Sequence, residues 1–298
     1  MSYHHFAPIS TLAVFRSWAK FLVVSSKNMQ TISIELVPRS VAALEEECLA
    51  IKARFPRLEV ANIPDILRMP LRSWEACRIA RRYFRRVIPH LRAIDFCLKN
   101  PGEVERVVEG FEEVLVISGD PPRDFSRVTY PTTSVELIAF LKQRFPHLRV
   151  FAAVDPYRRG PRAELDYVKR KQDAGADAFF TQPFFCLHLL DAYVSLLSSC
   201  NVFWGISPVL SDKSRSYWET TNQAVFAADY QHTMEFNQNF ARAFLSRLSG
   251  DHAHAYFMPV RTNTVTYLEG IFEAGPGNTP PPSRSPVSGS QVLVATDD

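Results

Sequence analysis

Eight apolar runs in this 298-residue chain each end on a polar side chain that could do chemistry. Glu35 closes the first, Asn62 the second, His90 the third and Asp120 the fourth. Asp155, Gln182, Ser207 and Arg261 close the remaining four. Carboxyls can move protons, an amide can read a heterocycle edge, and a guanidinium can hold an anion. Each also has an ordinary structural role. Glu35 could be a paired core carboxylate, His90 a structural histidine and Gln182 a loop contact. Asp120, before Pro121-Pro122, could cap a turn, and Arg261 could be a solvated loop charge. Gathered at one rim they carry more weight, because burying polar groups without partners is costly.

The intervening pattern predicts that gathering. β-rich runs at Thr31–Val37, Leu58–Ile63, Val87–Ala93, Glu113–Ile117, Val150–Val154, Ala178–Thr181, Val202–Ile206 and Ala255–Val260 alternate with helical stretches. The helices fall at Val41–Arg54 behind Ser40 as N-cap, Trp74–Phe84, Val104–Glu109 and Val135–Phe145, then Ala163–Ala174, Leu189–Leu197, a region including Thr233–Leu248, and Val265–Phe272. Strict alternation implies parallel strands with crossover helices. Eight such units predict a single-domain α/β fold, a (β/α)8 TIM barrel over residues 31–275. A doubly wound sheet is disfavoured: the first turn, Val37-Pro38-Arg39-Ser40, lacks the glycines of a nucleotide-binding turn. There is no phosphate-loop motif and no H-E-x-x-H.

The net charge of +3 does not point to nucleic acid, and the Arg81, Arg82, Arg85, Arg86 run reads as a solvent-facing helix stripe. No apolar run is long enough to span a membrane. Five dispersed cysteines read as reduced thiols in a cytoplasmic protein, with neither a disulfide framework nor a metal site. Residues 1–30 read as an N-terminal extension, with Met29 a candidate start. Residues 276–298, rich in Pro, Ser and Gly, read as a disordered tail. The apolar helix faces do not separate a monomer from a homo-oligomer.

Several segments resemble the methylenetetrahydrofolate reductase family. They are Ile32-Ser33-Ile34-Glu35-Leu36-Val37-Pro38, Ile117-Ser118-Gly119-Asp120-Pro121-Pro122, Asp173-Ala174-Gly175-Ala176 with Thr181-Gln182-Pro183-Phe184-Phe185, and Gly205-Ile206-Ser207-Pro208-Val209. The resemblance runs over about residues 31–273, and the Asp-Ala-Gly-Ala…Thr-Gln-x-Phe-Phe stretch is its most specific part. It implies a (β/α)8 flavoprotein that reduces 5,10-methylenetetrahydrofolate to 5-methyltetrahydrofolate, with NADH or NADPH as reductant and FAD as carrier. By position, Glu35 would be the general acid that protonates N10 as the imidazolidine ring opens, and Asp120 would lie beside pterin and flavin. Gln182, Arg261 and Phe226 would contact the reduced folate. His90, Ser118, Gly119, Asp120, Glu164 and Lys171 would contact FAD.

The departures concern the flavin more than the folate. Ser118 stands where the family carries an arginine for the flavin phosphates. His90-Leu91-Arg92 replaces His-Leu-Thr, Glu164 replaces Asp, and Tyr167 replaces Asn. The fifth loop, Val154-Asp155-Pro156-Tyr157-Arg158-Arg159-Gly160-Pro161, is rebuilt and shorter. Arginines 92, 158 and 159 could replace the lost positive charge or mark a changed ligand. The alternative implied is a flavin-free homologue that binds or transfers a folate one-carbon unit, with or without a partner subunit.

Overall fold

The computed structural model describes residues 31–122 and 127–272. The expected N-terminal extension and C-terminal tail lie outside the described residues. Eight parallel strands close in sequence order: β1 (Ile32–Glu35), β2 (Val60–Ile63), β3 (Arg86–Arg92), β4 (Glu113–Ile117), β5 (Arg149–Val154), β6 (Ala178–Pro183), β7 (Val202–Ile206) and β8 (Ala253–Phe257). The barrel seals where Ile34 of β1 registers with Phe257 of β8. Among the described residues nine helices pack outside: α1 (Val41–Arg54), α2 (Ser73–Ala80), α3 (Gly102–Val108), α4 (Ser134–Arg144), α5 (Pro161–Asp173), α6 (Leu187–Leu196), α7 (Asp212–Asn222), α8 (Met234–Leu245) and α9 (Thr264–Phe272). None is long and apolar enough to cross a membrane.

The strands follow from their residues. Val114 and Val116 of β4 pack on the helix layer, while Leu115 between them turns into the lumen. The same period-2 alternation sends Phe151, Phe180, Phe203, Tyr256 and Met258 inward. Phe180 stacks on Phe203 with ring centres 4.2 Å apart, and Phe151 packs against both. The lumen is thus filled by rings and is no channel. At its amino-terminal mouth Glu113 is buried and takes a bidentate ion pair from Arg86 and a second from Arg149. The helices start on side-chain caps. Ser40 accepts the Ala43 N–H at 3.1 Å, as expected, and Thr133 forms a capping box with Glu136.

Two elements differ from expectation. α2 stops at Ala80, and Arg81, Arg82, Arg85 and Arg86 follow it instead of forming a helix stripe. They tie neighbouring segments together: Arg81 donates to the Gly110 carbonyl, Arg82 pairs with Glu45, Arg85 with Glu59 and Arg86 with Glu113. α7 has no apolar periodicity to announce it, because Trp218 is its one buried residue.

β6 carries an irregularity between Phe180 and Pro183 that leads into the site. Pro183 has no N–H for the ladder, which suits it to a bulge. Gly205 of β7 passes this point so closely that a Cβ would lie 2.6 Å from the Thr181 carbonyl oxygen and 2.7 Å from Met258. We expect Gly205→Ala to lower stability by about 1–3 kcal/mol, the range for overpacking a rigid core. Urea unfolding of the two proteins checks this; an unchanged midpoint would contradict the close approach.

Candidate functional site at the carboxyl-terminal rim

Glu35 is the last residue of β1, half-buried, with Ile34 and Leu36 fully buried beside it. Its carboxyl accepts a hydrogen bond from the Tyr256 phenol of β8. Loss of water raises its pKa to about 7, against the opposing pull of that hydrogen bond. Glu35 therefore holds its proton near neutral pH and can release it. Tyr256 is pushed well above the ordinary phenol range by burial and by Glu35, so the phenol keeps its proton and is the donor. Sequence reading missed Tyr256. The alternation of β8, which sends Met258 inward, was the signal that could have found it.

β2 and β3 place a buried chain of hydrogen bonds next to Glu35. Asn62, opposite Glu35 in register, donates to Ser33 Oγ at 2.8 Å and contacts His90 Nε2 at 2.9 Å through Oδ1. With an acceptor at Nε2, the proton sits there. Burial lowers the His90 pKa to about 3, so the ring is neutral at physiological pH.

Asp120 lies elsewhere. Its side chain is 77 % exposed and pairs with Arg158 at 3.1 Å, while its backbone carbonyl accepts from Arg92. The Arg92 side chain is buried over Gly119, where a Cβ would come within 3.0 Å of it. Gly119 has φ +82°, a conformation that also favours glycine. Ser118 uses its carbonyl to accept the Ile94 N–H. Arg92 also lies 3.5 Å from Asp95, which shares Arg72 with Asp65. That charge network was invisible in the sequence, because Asp65 and Arg72 come from the loop after β2, and Arg92 and Asp95 from the end of β3 and the turn that follows it.

The fifth loop and α5 form a second group. Asp155 caps its own turn by accepting the Tyr157 and Arg158 N–H groups. Glu164, 1 % exposed, accepts the Asp155 N–H and pairs with Arg159. Lys171, 3 % exposed, donates to the Ala153 carbonyl at 2.5 Å and sits 3.9 Å over the Tyr167 ring. Burial, partly offset by Glu164, lowers the Lys171 pKa to about 8. Tyr167 bonds Ser134 at 2.5 Å.

The remaining candidates divide. Gln182 is half-buried, two residues beyond lumenal Phe180, and its side-chain amide has no hydrogen-bond partner among the described residues. Phe226, half-buried, stacks on Phe185 at 4.3 Å, with the Arg215 guanidinium over its ring. Ser207 is committed to the Met258 carbonyl. Arg261 is exposed with φ +57° just after β8. No cluster of metal-ligating side chains occurs among the described residues.

Comparison with known proteins bears on the fold and the family. A Clostridium thermocellum protein of uncharacterised function, solved binding two copies of 5-methyl-5,6,7,8-tetrahydrofolic acid, superposes with TM-score 0.60 at 12 % identity, covering 83 % of this chain and 94 % of its own. At that identity the likeness speaks for the barrel alone. A 2,3-dimethylmalate lyase of the PEP mutase/isocitrate lyase superfamily follows at TM-score 0.46 and 12 % identity, covering 85 % of this chain and 81 % of its own. Residues 74–224 match the family model described as methylenetetrahydrofolate reductase. That match spans half of the sequence and includes Asp120, Gln182 and the β6–β7 close approach, and the chain belongs to the methylenetetrahydrofolate reductase family.

Proposed function

We propose that this chain binds a reduced folate over the carboxyl-terminal rim and acts on 5,10-methylenetetrahydrofolate with Glu35 as general acid. One observation carries the reading: at the end of β1 a carboxyl stands shielded from water and held by the Tyr256 phenol, its pKa pushed up to about 7. In the proposed reaction the bond from the methylene carbon to N10 breaks, and Glu35 supplies the proton that N10 takes up. A hydride from NADH or NADPH then goes to the methylene carbon, leaving 5-methyltetrahydrofolate and the oxidised nicotinamide. Gln182, whose amide has no hydrogen-bond partner among the described residues, is suited to the pterin edge, and Phe226 and Arg261 to the rest of the folate. The folate bound by the Clostridium thermocellum protein is of the same chemical class as this product.

The FAD of the family fits this chain poorly. Of the residues that would contact it, His90, Glu164 and Lys171 are buried, while Asp120 is exposed and paired with Arg158. Lys171 and Glu164 are buried and bonded to Ala153, Asp155 and Arg159, Arg92 covers Gly119, and Ser118 brings no cation. The reading is therefore of a flavin-free enzyme. A second reading, in which FAD is retained, rests on Arg158 and Arg159, 53 % and 41 % exposed, as replacements for the lost phosphate-binding arginine.

The visible absorbance of the purified protein, before and after incubation with FAD and desalting, separates the two. The first predicts a colourless protein; a flavin spectrum that survives desalting would establish the second. Calorimetry with 5-methyltetrahydrofolate should show binding in either case, and no heat at millimolar ligand would remove the folate assignment. Glu35→Gln should cut turnover of 5,10-methylenetetrahydrofolate by about 10²–10⁴-fold, the range for loss of a general acid.

The same carboxyl links stability to pH. A folded-state pKa raised above the unfolded value makes Glu35 stabilise least when ionised. Its cost is absent below about pH 4.5, grows as pH rises towards 7, and is constant above that. We expect Glu35→Gln to melt higher than the parent protein at pH 8 and level with it at pH 4. Scanning calorimetry at the two pH values checks this, at about 2–4 °C for each kcal/mol relieved in a chain of this size.

A further inference from the structure

We propose that Tyr256 is the positioning residue of this site: its phenol fixes the Glu35 carboxyl and stabilises the carboxylate left when the proton departs. The inference deepens the reading above and rests on it for the identity of the proton acceptor.

Register makes the contact specific. Tyr256 lies opposite Ser33 across the β1–β8 seam, and Glu35 is two residues further along β1, on the same face. The phenol reaches forward one step and donates to Glu35 Oε2. Its ring is 4 % exposed and packs edge-on against Phe180, 5.2 Å away. Phe180 is itself stacked on Phe203. The aromatic lumen thus holds the hydroxyl where it is. With Oε2 occupied, Oε1 remains to carry and deliver the proton.

Other charged groups do not substitute for it. β2 presents Asn62, which is neutral, and His90 of β3 behind it is uncharged. In the helix layer outside the seam, Glu47 of α1 is bonded to Thr264, and Glu269 of α9 is paired with Arg54. Asp120 is turned to Arg158. A neutral hydrogen bond becomes charge-assisted when its acceptor ionises, so the Tyr256 contact strengthens as Glu35 gives up its proton. Burial makes Glu35 a weaker acid, and Tyr256 returns part of that acidity.

The test reads Glu35 directly, without any folate. The side-chain carboxyl carbon is followed by NMR against pH in glutamate-labelled full-length protein, with Glu35→Gln to assign it. Tyr256→Phe should raise the titration midpoint by about one pH unit, a tenfold weaker acid. 3-Fluorotyrosine at position 256, a stronger donor of the same shape, should lower it. Where 5,10-methylenetetrahydrofolate turns over, Tyr256→Phe should reduce kcat about tenfold with KM held, as for an interaction realised after binding. An unmoved midpoint in Tyr256→Phe overturns the proposal. If that variant does not fold, an unmoved midpoint in the fluorotyrosine protein overturns it equally. Shifted midpoints in a protein that binds no reduced folate uphold the Tyr256 assignment and remove the folate reading instead.

Discussion

Everything at the candidate site depends on parallel closure. Eight strands running the same way put all their carboxyl ends on one rim. Side chains alternate between lumen and helix layer, so each strand has one choice of phase, set by which residues can be buried against helices. Closure then fixes neighbours that no local rule connects. β8 meets β1 across more than two hundred residues of sequence, and this seam brings Tyr256 to Glu35. The aromatic filling of the lumen supports the contact from below, because Phe180 and Phe203 leave Tyr256 little freedom.

The opposite mouth shows what the same architecture does when stability alone is at stake. Glu113 there is buried and is answered by two arginines from adjacent strands. Removing Glu113 would leave two arginines without their shared carboxylate, which is costly. Among the described residues no cation pairs with Glu35. Its charge is avoided by holding the proton, and the chemical consequence is an acid ready near neutral pH. The two glutamates are alike in sequence context, each within a β-rich run. Their partners make one structural and the other a candidate reactant.

The flank of the rim between β4 and α5 has become self-contained. Arg92, Arg158, Arg159 and Lys171 add positive charge, yet each has an internal acceptor or carboxylate. Arginine at position 92 closes over Gly119, and tyrosine at 167 takes Lys171 against its ring. The buried Glu164 is paired with Arg159. The groups on β1 and β6 proposed to meet the folate show no such closure: Glu35 remains half-buried, and the Gln182 amide has no hydrogen-bond partner among the described residues.

Much of this was legible in the chain itself. β4 and β7 lie at the residues predicted, because uninterrupted apolar runs bounded by turns leave little ambiguity. The Ser40 cap fixed the start of α1. α7 escaped because Trp218 is its one buried residue, and the arginine run after α2 keeps its expected exposure at Arg82 and Arg85 but lies outside the helix, its pairing with Glu45, Glu59 and Glu113 not being readable locally. Glu35, His90, Asp120 and Gln182 were all identifiable as strand-end polar groups. Their sequence determined that they would share a rim, since alternation and parallel closure follow from local pattern. Only the tertiary structure decided that Asp120 turns outward to Arg158 while Glu35 is held by Tyr256. Partner choice depends on distances across strands far apart in sequence, and burial sets the proton affinity only after those strands have met.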